Sequence, residues 1–137
     1  MCYPRFDRYT KSIYNSPMTE KILLQSSEYA RLAVDVASDK LASDVVMLDI
    51  RKVSDFTDFF VILTVESTRQ MRSLVDDLEM ELQQNGATLH HREGAPNTGW
   101  MLLDFADVIV HLMTPDKREF YDIEGMWSHG VEVVRIL

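Results

Sequence analysis

The sequence predicts an α/β fold: a mixed β-sheet with helices packed on it, in one domain. Three observations carry this. Stretches with apolar residues at helical spacing alternate along the chain with short runs of β-branched and aromatic residues. Apolar residues make up 46% and charged residues 26%, the balance of a chain that packs a core. At 137 residues there is enough chain for one such core and too little for two comfortable ones.

Residues 1–21 show neither helical nor strand periodicity and are read as a loose extension ahead of a domain spanning 22–137. They hold no apolar stretch followed by a small-residue cleavage site, so no secretory signal is expected. From Ser27 to Ala42, Tyr29, Ala33, Val36, Ala37, Lys40 and Leu41 fall at helical spacing, with Ser26 or Ser27 able to cap the orphan amides. Val45 to Ile50 is short, rich in β-formers and bounded by polar residues, which suits a buried strand. A second strand follows at Asp58 to Val65, after the Ser54-Asp55 break. Ser67 with Gln70 three residues later makes a capping box; Met71, Leu74, Val75, Leu78 and Leu82 then form one apolar stripe, which Asn85-Gly86 terminates.

Thr88 to Arg92 reads as a strand and Glu93 to Gly99 as a turn-rich loop. Two more strands, Trp100 to Asp104 and Asp107 to Met113, flank Phe105-Ala106 at the spacing of a tight antiparallel hairpin. Thr114-Pro115 supplies a cap and a proline at the first helical position. The short helix it opens is expected to run through Phe120 and on toward Trp127, docking Phe120 and Ile123 into the core. Val131 to Leu137 is read as either an edge strand or a trailing end.

Charge and cysteine content narrow the function classes. The lone cysteine, Cys2, permits neither an intramolecular disulfide nor a thiolate zinc site, which fits a reducing compartment such as the cytoplasm. No apolar run approaches the ~18 residues of a membrane-spanning helix. The formal net charge is −8, and four of the fourteen basic but only two of the twenty-two acidic residues lie in 1–21, so the domain itself stands at −10. Such a domain is ill suited to gripping phosphate backbones, which rows of Lys and Arg neutralise. Its natural complement is a basic partner.

Catalytic motifs are missing. The five glycines form neither a Walker A loop nor a dinucleotide fingerprint, and no serine stands in a nucleophile elbow. His90 and His91 would point to opposite faces of a strand and chelate poorly together. His111, between Val110 and Leu112, reads as a structural histidine, and His129 beside Gly130 as surface loop. One acidic set could hold Mg²⁺ against a nucleotide, as sheet-borne acids of nucleotide transferases do: Asp49, Asp104 and Asp107. The favoured reading is that Asp104 and Asp107 accept backbone amides at the hairpin turn, since no phosphate-binding loop accompanies them. No metal, cofactor or catalytic residue is therefore expected. Trp100, opening a strand after a flexible loop, divides evenly between core packing and a contact anchor.

Five segments, in order, resemble the Iojap/RsfS family of ribosomal silencing factors. They are Asp44 to Ile50, Asp58 to Ile62, Ser67 to Gln70, Trp100 to His111 and Arg118 to Trp127, and the likeness runs from about Ser27 to Trp127. What the resemblance implies is a nucleotidyltransferase-like fold without the catalytic site. It also implies binding to the large ribosomal subunit through its protein L-fourteen, so that joining with the small subunit is blocked and translation repressed when nutrients are scarce. Family members are further expected to form homodimers when free. The partner-binding surface, carried over onto this sequence, is Trp100, Leu102, Asp104, Phe105 and Asp107. Two departures stand out: Ala106 replaces a usual glycine in the hairpin turn, and Val65-Glu66 replaces a Gly-Asn pair before Ser67. The rival reading is a metal-dependent nucleotidyl-transfer enzyme built on Asp49, Asp104 and Asp107.

Overall fold

Residues 24–137 are described by a computed structural model; residues 1–21, read as an extension, and Cys2 lie outside the described residues. Helix α1 spans Ser26–Asp39, with the Gln25 amide donating to the Glu28 carboxylate at 2.7 Å. It ends sooner than its apolar spacing suggests. Leu41 takes a left-handed φ of +66°, and the amides of Leu41 and Ala42 bond back to Ser38 and Ala37, a Schellman closure that turns the Leu41 side chain out to solvent. Helix α2, Thr68–Gln84, starts as predicted: Ser67 Oγ accepts from the Gln70 amide at 3.0 Å, while Gln70 Oε1 accepts from the Glu66 amide at 2.8 Å.

Among the described residues six strands form one sheet in the order β3-β4-β5-β2-β1-β6. They are β1 (Ser43–Asp49), β2 (Phe59–Thr64), β3 (His91–Ala95), β4 (Trp100–Asp104), β5 (Val108–Met113) and β6 (Val131–Ile136). The β2–β5 pair is parallel and every other pair antiparallel, the mixed sheet that was predicted. Strand alternation sends one set of side chains to each face. Val45, Met47, Val61, Leu63, Met101, Leu103, Val110 and Leu112 pack beneath α1 and α2. Val46, Leu48, Phe60, Ile62, Ile109 and Met113 face the other way, where, among the described residues, the short helices α3 (Pro115–Tyr121) and α4 (Ile123–Met126) and a set of aromatic rings cover them. Among the described residues no helix is long and apolar enough to cross a membrane.

Two expectations need correction, and one left open is decided. The strand expected at 88–92 lies at His91–Ala95, so Glu93, Gly94 and Ala95 belong to the sheet. Pairing with β4 dictates this, and Gly94 permits it: at φ +90° its backbone comes so near that a Cβ would stand 2.2 Å from the Trp100 carbonyl oxygen. The helix after Thr114 is broken in two, because Asp122 turns left-handed at φ +47° and caps the second piece by accepting from the Gly125 amide at 3.1 Å. Phe120 consequently points outward at 77% exposure, while Ile123 is buried as expected. Val131–Ile136 is an edge strand, paired antiparallel with β1.

Helices α3 and α4 are fastened to the sheet by Arg118, a buried cation. Its Nη1 donates to the Asp44 carbonyl at 2.6 Å and to Thr64 Oγ1 at 2.8 Å, and its Nε and Nη2 make a two-pronged pair with Glu124 at 3.0 and 3.1 Å. Arg135 of β6 closes the network by pairing with Asp44, Glu124 and Glu132. Burial pushes the Glu124 carboxyl up, but the hydrogen bonds and charge of Arg118 and then Arg135 outweigh it and hold the group below its ordinary value.

Candidate protein-interaction face

The face opposite α1 and α2 carries the residues singled out in the sequence, and alternation along β4 explains which. Trp100, Leu102 and Asp104 are partly buried on this face, while Met101 and Leu103 are buried beneath the long helices. The same alternation carries Phe105 to the helix side with Met101 and Leu103, where it packs into the main core at 6% exposure. Phe105 is therefore a support behind the hairpin and not a group a partner could touch. The Asp107 side chain is exposed at the far end of the turn, and its carbonyl accepts from the amides of Asp58 and Phe59 at 3.0 and 3.1 Å. Asp104 Oδ1 accepts from the Ala106 amide at 2.7 Å, the turn role expected of it.

The supposed metal-binding acids do not come together. Asp49 lies on β1, three strands from Asp104 on β4, so roughly 14 Å of sheet separates them, far beyond the span of one cation's ligands. Asp49 is moreover clasped by Arg51, whose Nε and Nη2 donate to it at 3.0 and 2.7 Å and hold its carboxyl below the usual range. Among the described residues no group of three or more His, Cys, Asp or Glu side chains converges on a possible metal position.

Register brings in residues that sequence reasoning missed. Glu93 lies opposite Leu102 and His91 opposite Asp104, so β3 places both on the same face as Trp100. His91 Nε2 stands 3.1 Å from Glu93 Oε2 and its Nδ1 3.5 Å from Asp104 Oδ2. From α3, Tyr121 brings its ring within 4.6 Å of the Trp100 ring, and Lys117 lies alongside. Together Glu93, Gly94, Trp100, Leu102, Lys117 and Tyr121 line a groove of about 420 Å³. Placing β3 two or three residues later in the sequence would have revealed Glu93; Tyr121 was hidden by the helix break at Asp122.

Beneath Trp100 lies His111, buried at 4% exposure. Its Nδ1 sits 3.2 Å from the Trp100 indole nitrogen, and its ring meets Phe60 edge-on at 4.9 Å. Burial lowers its pKa from 6.5 to about 4, so the ring is neutral near pH 7. The structural histidine expected there thus doubles as the floor of the groove's tryptophan.

What this face offers is an aromatic and aliphatic patch rimmed by carboxylates, a surface for recognition. Comparison with known proteins gives it a context. A ribosomal silencing factor from Halalkalibacterium halodurans is 33% identical over 110 residues, covering 80% of this chain and 94% of that one. A crystal structure of a protein from Chromobacterium violaceum superposes with a TM-score of 0.73 at 30% identity, covering 77% of this chain and 88% of that one. A mouse protein named for mitochondrial assembly of the ribosomal large subunit is 28% identical over 100 residues, covering 71% of this chain and 44% of that one. The profile of the RsfS family, described as ribosomal silencing factor during starvation, matches residues 24–136, and on that match this chain belongs to the RsfS family.

Proposed function

We propose that this protein silences ribosomes by occupancy. It binds the large ribosomal subunit through protein L-fourteen, with Trp100 and Leu102 as apolar anchors and Glu93, Asp104 and Asp107 as the acids that meet Arg and Lys of the partner. Seated there, it keeps the small subunit from joining and represses translation when nutrients are scarce. The free protein is a cytoplasmic homodimer. This action needs no catalytic group, metal or cofactor. The observation that carries the reading is the family match over almost the whole described domain, in a chain whose β4 displays Trp100 and Leu102 beside a carboxylate rim.

Co-sedimentation with purified subunits tests it. The protein is expected to pellet with large subunits and not with small ones, and Trp100→Ala is expected to weaken that binding about thirtyfold. Equal pelleting of the folded variant would remove Trp100 from the interface; wild-type protein that ignores large subunits at low salt would sink the proposal.

A further inference from the structure

We infer that His111 is a positioning residue: as a neutral ring protonated on Nε2, it presents Nδ1 to the indole N–H of Trp100 and fixes that indole in the pose the partner meets. The inference rests on the reading of Trp100 as an anchor.

The indole nitrogen is a donor only, so the 3.2 Å contact requires His111 Nδ1 to be an acceptor. The ring's one proton must then sit on Nε2. That nitrogen is buried and finds no hydrogen-bond partner among the described residues, and the surroundings explain why: Phe60 lies edge-on at 4.9 Å, and the cross-strand neighbours are Leu102 and Ile62. A buried donor without an acceptor is destabilising, whereas a leucine or phenylalanine would fill an apolar slot without that penalty. For packing alone, imidazole is the poorer choice. What it adds over hydrocarbon is the acceptor at Nδ1, and among the described residues the group that uses it is Trp100.

The geometry makes the constraint effective. Trp100 is only partly buried and borders an open groove, with Tyr121 at 4.6 Å on one side of its ring. Tyr121 is itself exposed on a short helix. The polar tether to His111 is what ties the indole to the rigid middle of the sheet, between Ile62 of β2 and Leu102 of β4. An anchor held in its bound pose loses less freedom on docking.

His111→Leu and His111→Asn test this together, Asn keeping an oxygen near the Nδ1 position. In ¹⁵N-labelled protein, Leu should shift the Trp100 indole resonance and abolish its protection from hydrogen exchange. Its Tm should hold or rise, while large-subunit binding weakens roughly tenfold. Asn should keep binding within about threefold of wild type. A lower Tm in the Leu variant, with the folded protein binding as tightly as wild type, would assign His111 a packing role and overturn the inference. So would an Asn variant as weak as Leu. If wild-type protein does not bind large subunits, the anchor reading fails on its own, and an unchanged indole resonance in the Leu variant would separately refute the tether.

Discussion

Ala106 holds a φ of +73° in the hairpin turn, and the Asp107 amide donates across it to the Phe105 carbonyl at 2.9 Å. This is a γ-turn with a left-handed centre, a conformation that a methyl group resists and glycine accepts. An alanine at this centre is held under backbone strain. Ala106→Gly should therefore raise stability by about 1 kcal/mol, read as a higher urea midpoint at constant slope. A fall of that size would show the turn to be relaxed. His111 sets a second expectation. Its folded-state pKa of about 4 lies below the 6.5 of an unfolded chain, so between these values the unfolded state binds more protons. Stability is then full above pH 6.5 and falls as pH drops toward 4, by on the order of 3 kcal/mol for this buried group. Thermal unfolding from pH 7 to 4 should show that loss, reduced in His111→Leu. Residue roles set by immediate neighbours were legible in the sequence: the Asp104 turn bond and the burial of His111 both follow from what flanks them. The burial of Phe105 follows from the sequence too, since alternation along β4 puts it with Met101 and Leu103; the exposure of Phe120 does not, because the helix that apolar spacing extends toward Trp127 is broken at Asp122.

Elements with a buried face announce themselves, and those without one do not. Helix α2 and strands β1, β2, β4 and β5 all carry apolar periodicity and stand within a residue or two of where it puts them. β3 and β6 are the sheet's edges, exposed along nearly their whole length, so neither shows the alternation by which strands are recognised. For that reason the sequence predicts β3 too early and leaves β6 undecided, and Glu93 and Gly94 of the groove stay hidden along with β3. The attachment of α3 and α4 was equally hidden, since it depends on a buried arginine whose partners lie 54 and 74 residues away. Arg118→Met keeps the stem but leaves Thr64 and the Asp44 carbonyl without their donor and Glu124 with Arg135 alone. The expected loss is about 3 kcal/mol, measured by denaturant unfolding, because removing one member of a buried charge network strands the rest. Tyr121 and Lys117 ride on the same helix, so the variant should also loosen the groove. A loss below about 0.5 kcal/mol would show that the network is a surface decoration.

At the scale of the whole molecule, the charge deduced from composition and the face found in the fold point to one kind of partner. A domain carrying twenty acidic and ten basic residues surrounds itself with a negative potential, and the groove's rim adds Glu93 and Asp104 at the place where Trp100 and Leu102 are offered. A basic ribosomal protein would be drawn in by that field before any side chain touches, so the field should appear mainly in the rate of association. On the function proposed, Trp100 and Leu102 act once contact is made and should govern dissociation. Raising salt from 0.01 to 0.15 M shortens the screening length from about 30 Å to about 8 Å. The association rate with large subunits should then fall about tenfold or more, while the dissociation rate changes by less than about threefold. Stopped-flow mixing of labelled protein with purified subunits separates the two rates. In Trp100→Ala the pattern should invert: association keeps its salt dependence and dissociation quickens. Association indifferent to salt would mean that the acidic character of the domain has no part in finding the ribosome, and the partner would have to be sought among neutral surfaces.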